Sequence, residues 1–580
     1  MNTAFCTSPK SRHRAAFALL IVLTMLAISM VALLGALNWT ATNGRQTVRN
    51  TDYSKVTAAA EAGTEKIVCR IIDDFLNVGE SEVYDNLTSY RALVPTTTEN
   101  AYWSQFQFFH PSGATNSTYV DRVQNQIFTN LNSQYLGLKG WVSRYRVVAN
   151  ASTGSGARLI RSAVGQELET AAIPIFQYAI FYGLDLELHS MTDMDVRGRV
   201  HSNKKLYTYP SATTTFYSDV TVVDDIIKTR KPGDPDFSNA AAKGSTIYKA
   251  KKDTKVSSLN LPIGTNNTPD VVRQVLNIPP SGEDIDSALG RQRYYNKAEL
   301  VIVVTNTTVS AFAKAPFSDT KYTIPWTNLN SFVATNISFT DQREGKVIKA
   351  TEIDVSKIAA WSVTNNSVIN AIGAKAVNLV YIADNRVVTG SQLTGVRLKN
   401  GQTLPTRGLT VATPNPLYVK GHFNQPTTAH LGTTNTSNTK PASLVSDALT
   451  ILSGDWNDAD SASDYTSRDA SDTTVNAAIL TGIVETSSGI YSGGAHNLGR
   501  FLEDWSGRTL SYNGSMVVLF NSIKATAPFQ QPGDYYDPPE RDFAFDLNFL
   551  DGTKLPPGTP ELRDIVRSQW ATLAPNTTSF

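Results

Sequence analysis

Seven histidines and two cysteines give this 580-residue chain its widest choice of chemistry, and their spacing narrows that choice. His13, His110, His189, His201, His422, His430 and His496 make no His-Glu-x-x-His pair and no Cys-x-x-Cys set. The spacing of a zinc site is therefore missing. His189 and His201 lie on strand-rich sequence and could meet across neighbouring coils, though hydrogen-bonded strand or turn histidines are the plainer reading. YSGGAHN sets Ser492 near His496. The local order Gly489-Ile490-Tyr491-Ser492-Gly493 lacks the Gly-x-Ser-x-Gly elbow that presents a nucleophile, and Gly493-Gly494 reads as a turn. DWNDADSASD gathers Asp455, Asn457, Asp458, Asp460 and Asp464. These are oxygen donors of the kind calcium takes, but the glycine and terminal glutamate of an EF-hand are missing. A solvated acidic loop is the plainer reading. Asp224-Asp225 offers the two carboxylates that glycoside hydrolysis needs, with no distance given by the sequence. There is no P-loop and no Gly-x-Gly-x-x-Gly after a strand. The residues thus assign no catalytic group, no cofactor-binding residue and no metal ligand, and the chain reads as a non-enzyme without a cofactor.

Composition narrows the partners. Lys+Arg number 52 and Asp+Glu 51, a net charge of +1. Nothing in this balance points to a nucleic acid partner, because binding phosphates needs a basic excess or stripe. Cys6 and Cys69 flank an apolar run, and the rest of the chain has no cysteine, so there is no disulfide framework. Low charge with Asn-, Thr- and Ser-rich loops points to a bacterial exported protein.

The elements that would position any site begin with residues 15–37, AAFALLIVLTMLAISMVALLGAL, which carry no charge. The run exceeds the ~20 residues that cross a bilayer as a helix and the ~7–15 of a secretory h-region. Lys10, Arg12, His13 and Arg14 precede it and hold the N-terminus in the cytoplasm, with Trp39 at the far interface. Beyond a weak point at Asn43-Gly44, Val56, Ala60, Gly63, Ile67, Ile71 and Phe75 recur at helical steps, and Gly79 is the stop. The chain divides into a basic leader (1–14), a transmembrane helix (15–37), an amphipathic helical stalk (38–80), a mixed α/β cap region (81–170) and a β-rich head (171–580).

The head is mainly β. GWVSRYRVVANA (140–151) alternates as a strand, while RLIRSAVGQELETA fits helix or strand. Phrases such as VRGRVHSNKKLYTYPSATTTFYSDVTV read as short strands with tight polar corners. We expect a mainly β fold with a long N-terminal α-helix, its head a parallel β-solenoid (β-helix-like), with a β-sandwich as the alternative. SKIAAWSV and ELRDIVRSQW are the helical candidates of this region. EDWSG, PPERDF and LPPGTP read as an extended strap that packs aromatics, or as a groove for a peptide or glycan.

The basic leader, RAAFALLIVLTML and AAAEAGTEKI resemble the N-terminal segment of PilX-like type IV pilus assembly proteins. GRVHSN, GLTVATPNPLYVKG, YSGGAHNLGRFLEDWSG and YYDPPERDFAFDLNFLDGTKLPPGTP resemble the large extracytoplasmic region of the same family. The resemblance implies a minor pilin or pseudopilin. Its helix enters a fibre after a prepilin peptidase cuts the leader, here between Ala16 and Phe17. It implies an inner-membrane protein with a single pass and a periplasmic or surface-exposed head. Its partners would be other pilin subunits and the assembly machinery, with a surface glycan or protein ligand for the head. Two positions depart from the family: Ala16 replaces glycine before the cut, and Ile21 stands where a glutamate normally neutralises a neighbour's N-terminal amine. A subunit at a fibre tip has no such neighbour above it. The alternatives are a tethered adhesin that never polymerises and an anchored β-helix enzyme acting on polysaccharide.

Overall fold

The computed structural model describes residues 12–131, 135–237, 242–529 and 533–578. Cys6 and most of the basic leader lie outside them. One helix, α1, runs from Arg12 to Asn77 without interruption at Asn43-Gly44. At 1.5 Å per residue its 66 residues span about 100 Å. The helix ends where Val78 and Gly79 both donate to the Asp74 carbonyl. Gly79 then takes φ +126°, and a Cβ there would strike the Arg563 guanidinium. Glycine is required because an L side chain resists that backbone.

The second half of α1 lies on an antiparallel sheet. Its strands are β1 (Gln107–Phe109), β2 (Tyr119–Asn130), β3 (Lys139–Thr153), β4 (Ile160–Pro174) and, from the far end of the chain, Glu561–Leu573. Strand β4 settles the ambiguity of RLIRSAVGQELETA in favour of strand. The ELRDIVRSQW segment is a correction. Expected to be a helix within the head, it is a strand paired antiparallel with β4, Leu562 opposite Ile173 and Val566 opposite Glu169. Its own pattern is ambiguous, and the open edge of β4 decides it, since an unpaired backbone edge is costly to bury.

The stripe seen in the sequence is the buried face of α1. Val56, Ala59 and Ala60 pack with Phe106, Phe108, Ala151 and Val164. Ile67, Val68, Ile71 and Phe75 pack with Tyr90, Val120, Tyr145 and Leu168. Gly63 lets the helix approach closely, because a Cβ there would sit 3.1 Å from that of Ala149. Polar ties flank the seam: Gln166 Nε2 donates to Thr64 Oγ1 at 2.8 Å, and Arg567 pairs with Glu65 at 2.7 Å. At the helix end, Arg563 donates to the Phe75 carbonyl and Tyr90 donates to Asp74 at 2.6 Å.

The head is mainly β, as expected, and its described residues form no closed barrel. Leu186, Leu206 and Ile226 pair in parallel register, as do Met194 and Thr214, so neighbouring strands here lie twenty residues apart in sequence. A 13-stranded sheet forms one wall of the head. Across it runs an apolar ladder: Leu300, Val380, Val411, Leu444, Ile479, Met516, Ile180, Val200 and Val220, each paired with the next. All nine belong to one core. The other face of this sheet, with Tyr381, Ala412, Val445 and Val517, is covered by the 259–298 segment. That second core also takes in Val142 and Ile173 of the antiparallel sheet, so this sheet and the head share one interior. SKIAAWSV contributes a helical turn at Ile358–Ser362, in agreement with its reading. Residues 540–562 run back as a strap over the head: Glu540–Phe545 adds in parallel to Thr509–Val518, and Ile175 N donates to the Pro560 carbonyl.

Shortening the buried stripe tests the docking of α1. Ile71→Ala should cost about 2–5 kcal/mol and lower the melting temperature of the detergent-solubilised chain. Val31→Ala, on the exposed half, should leave it unchanged.

Candidate functional site

Two features of the molecule have surfaces or groups that the fold alone does not use. The first is the N-terminal half of α1. Every side chain from Ala16 to Asn50 is exposed except Asn43, which is half-buried. Phe17, Ile28, Val31 and Trp39 are each about two-thirds exposed. This is the one helix, among the described residues, long and apolar enough to cross a membrane. Exposed apolar surface of this extent is not stable in water and needs lipid or other apolar helices around it. Ala16 and Phe17, the expected cleavage pair, both lie exposed on this stretch. Ile21 is also exposed and brings no carboxylate to the helix.

The second feature is a buried polar cluster in the head. Glu187 and His189 stand at the strand Leu186–Leu188, and Asp234 comes from the excursion between Ile226–Ile227 and Ser245–Tyr248. One ligand atom from each lies within 4.8 Å of the others. Tyr491 stacks on His189 at 5.2 Å, nearly parallel, and Ser492 donates to Glu187 at 3.0 Å. Gly494, at φ +71°, allows this loop to close, since a Cβ would strike the Glu187 carbonyl and the His496 ring. Burial pushes the Glu187 carboxyl up to about 7, against hydrogen bonds from Thr486 and Ser492. Burial also pushes His189 down to about 3, helped by the Arg230 charge, and His496 down to about 3.

The other candidates of the sequence disperse into structural roles. His189 and His201 do not meet: His201 bonds Thr221 at 2.8 Å and Asn203 at 2.9 Å and stacks on Phe181. Ser492 is engaged by Glu187 rather than by His496. In the acidic loop, Asp458 is held by Arg397, Asp460 takes Asn457 Nδ2, and Asp464 accepts from Thr466 N. These carboxylates serve turns and ion pairs. Asp225 pairs with Lys255 on the surface. His110 bonds Ser112, His422 accepts from Thr474 N, and His430 contacts Asn435. The sequence singled out His189, Ser492 and His496 but not Glu187 or Asp234. Neither acid has a motif around it, and only the coil geometry brings them to His189.

No family model matches the chain, and no curated protein matches it. Among solved structures it is similar to the competence-associated pilin ComZ from Thermus thermophilus, with 11% identity and a TM-score of 0.29. That match covers 90% of this chain and 98% of the other.

The buried histidines predict acid sensitivity. Desolvation holds His201 down to about 4, below its ordinary 6.5. Its neutral form therefore stabilises the fold fully above pH 6.5. The contribution is lost as pH falls toward 4, because the unfolded chain binds the proton first. The gap is worth about 3 kcal/mol at roughly 1.4 kcal/mol per pH unit. Thermal melts across pH 7 to 4 should show a flatter acid limb for His201→Gln than for the parent chain.

Proposed function

We propose that the chain is a structural or accessory subunit of a type IV pilus or pseudopilus-like assembly. In this reading residues 15–37 sit in the bacterial inner membrane with the N-terminus cytoplasmic, and the β-rich head lies outside. The protein does no catalysis; its work is assembly and display. One observation carries the reading: a single continuous helix is exposed over its first half, with no charge from residue 15 to residue 44, and packs on a sheet over its second. A cleaved signal needs no such rigid continuation, and a simple tether needs no helix packed along the sheet that adjoins its head. Lipid covers the free half before assembly, and neighbouring apolar helices cover it in a fibre. The PilX-like phrases point the same way, and they name the partners as other pilin subunits and their machinery.

Ile21 refines the position. A subunit within a fibre needs a carboxylate to pair with the neighbour's amine, since an unpaired charge among apolar helices is costly. The exposed isoleucine offers none, which suits a subunit at the fibre end, where nothing sits above it. The same residue, with Ala16, supports the second reading: a membrane-tethered head that binds a surface glycan or protein and never polymerises.

Mass spectrometry of the mature N-terminus in membrane and sheared-surface fractions separates the two. The pilus reading expects a chain starting at Phe17, methylated, in the sheared fraction. A chain starting at Met1 and confined to the membrane would leave the tethered reading.

A further inference from the structure

The cluster at Glu187 has a property that hydrogen bonding within the head does not account for. Both ring nitrogens of His189 lack a partner, although the residue is only 5% exposed. Glu187 Oε2 and the Tyr491 hydroxyl are also buried without partners, and so is Nδ1 of the neighbouring His496. Buried polar atoms are nearly always satisfied, and each orphan costs about 1–3 kcal/mol. Several orphans on touching residues call for one shared partner.

We propose that Glu187, His189 and Asp234 bind a single divalent transition-metal ion of the zinc type. The inference stands apart from the pilus reading. The donor set chooses the class of ion: calcium and magnesium take all-oxygen shells, whereas an imidazole with carboxylates suits zinc. The free atoms are the ones a metal needs. Glu187 keeps Oε2 open while its Oε1 accepts from Ser492. Asp234 Oδ1 accepts from Asp236 N at 2.8 Å and from Arg230 at 3.2 Å. Its Oδ2 lies 3.9 Å from His189 Nδ1 and 3.1 Å from Arg230. On binding, Oδ2 turns to the ion while Arg230 stays on Oδ1, as an outer partner that orients a ligating carboxylate. Zinc donors sit about 2.0–2.2 Å from the ion. The three ligand atoms, now within 4.8 Å of one another, would draw in by roughly an ångström.

Among the described residues Arg230 is the cation paired with a ligand, at Asp234, and Lys231 is turned to Asp185 and Glu485 at 2.9 and 2.6 Å. The ion would tie a coil strand to the excursion that carries Asp234. The 491–497 loop closes over both, with Ser492 on a ligand and Tyr491 against the imidazole. The role that follows is a clamp on three segments distant in sequence.

The test uses the full chain in detergent, stripped with a chelator and titrated with Zn²⁺ alone by calorimetry, with metal content measured after dialysis. The expected result is one equivalent of zinc per chain and a higher melting temperature. Glu187→Gln and His189→Gln should each weaken binding about a hundredfold, whereas His110→Gln should not. Circular dichroism and the metal-free melt of each variant check that it folds. Should His189→Gln fail to fold, Glu187→Gln, which keeps the side-chain shape, decides the matter. Cobalt substitution adds a direct signature: visible d–d bands in the parent chain that are lost in the Glu187 variant. A folded parent chain that takes up no zinc overturns the proposal, as does binding that both variants leave unchanged.

Discussion

The packing of one helical stripe against one antiparallel sheet is the constraint on which the rest of the molecule depends. Val56, Ala60, Ile67, Ile71 and Phe75 are buried to the last few per cent. No residue of this stripe can turn outward without exposing an apolar face. This fixes the rotation of α1 about its axis. Because the helix is continuous, the same rotation is passed to residues 16–50, which are exposed apart from the half-buried Asn43. The free half is aimed by the docked half. A flexible linker between span and head would have lost that relation.

The sheet beneath the helix depends in turn on β4 meeting a strand from a distant part of the chain. Glu561–Leu573 completes it on β4, after a strap crosses the head. The head's large sheet is joined in a comparable way where Met516 pairs with Ile180, bringing a late strand beside an early one. Both seams bring together residues more than three hundred positions apart, and each extends an existing ladder. Parallel stacking rewards this: every added strand satisfies backbone groups and continues the apolar row from Leu300 to Val220.

Buried polar groups mark the places where the stacking turns. Asp447, fully buried, accepts from Arg273 and from the backbone of Ile523, Lys524 and Ala525, and so pins a loop of the last coils. Glu503 receives Ser453 through both backbone and hydroxyl, and burial pushes it up to about 7. These groups have their partners within the protein. The cluster of Glu187, His189 and Asp234 differs because atoms there remain open.

The sequence by itself determined the elements that local periodicity controls. The uncharged run of 15–37, the stripe from Val56 to Phe75, the stop at Gly79 and the strand at 140–151 are each visible within one element, because burial on one face leaves a period of 3.6 or 2. The mainly β head was legible for the same reason. Tertiary structure alone decided what depends on a partner. ELRDIVRSQW has no decisive period and became a strand because β4 offered an open edge. Asp458 left its acidic neighbours for Arg397, sixty-one residues away. His189 was visible as a histidine on strand-rich sequence, but its neighbours Glu187 and Asp234 were not. A cluster of this kind is set by which coil stacks on which, and that register is written in long-range pairing rather than in any short stretch of residues.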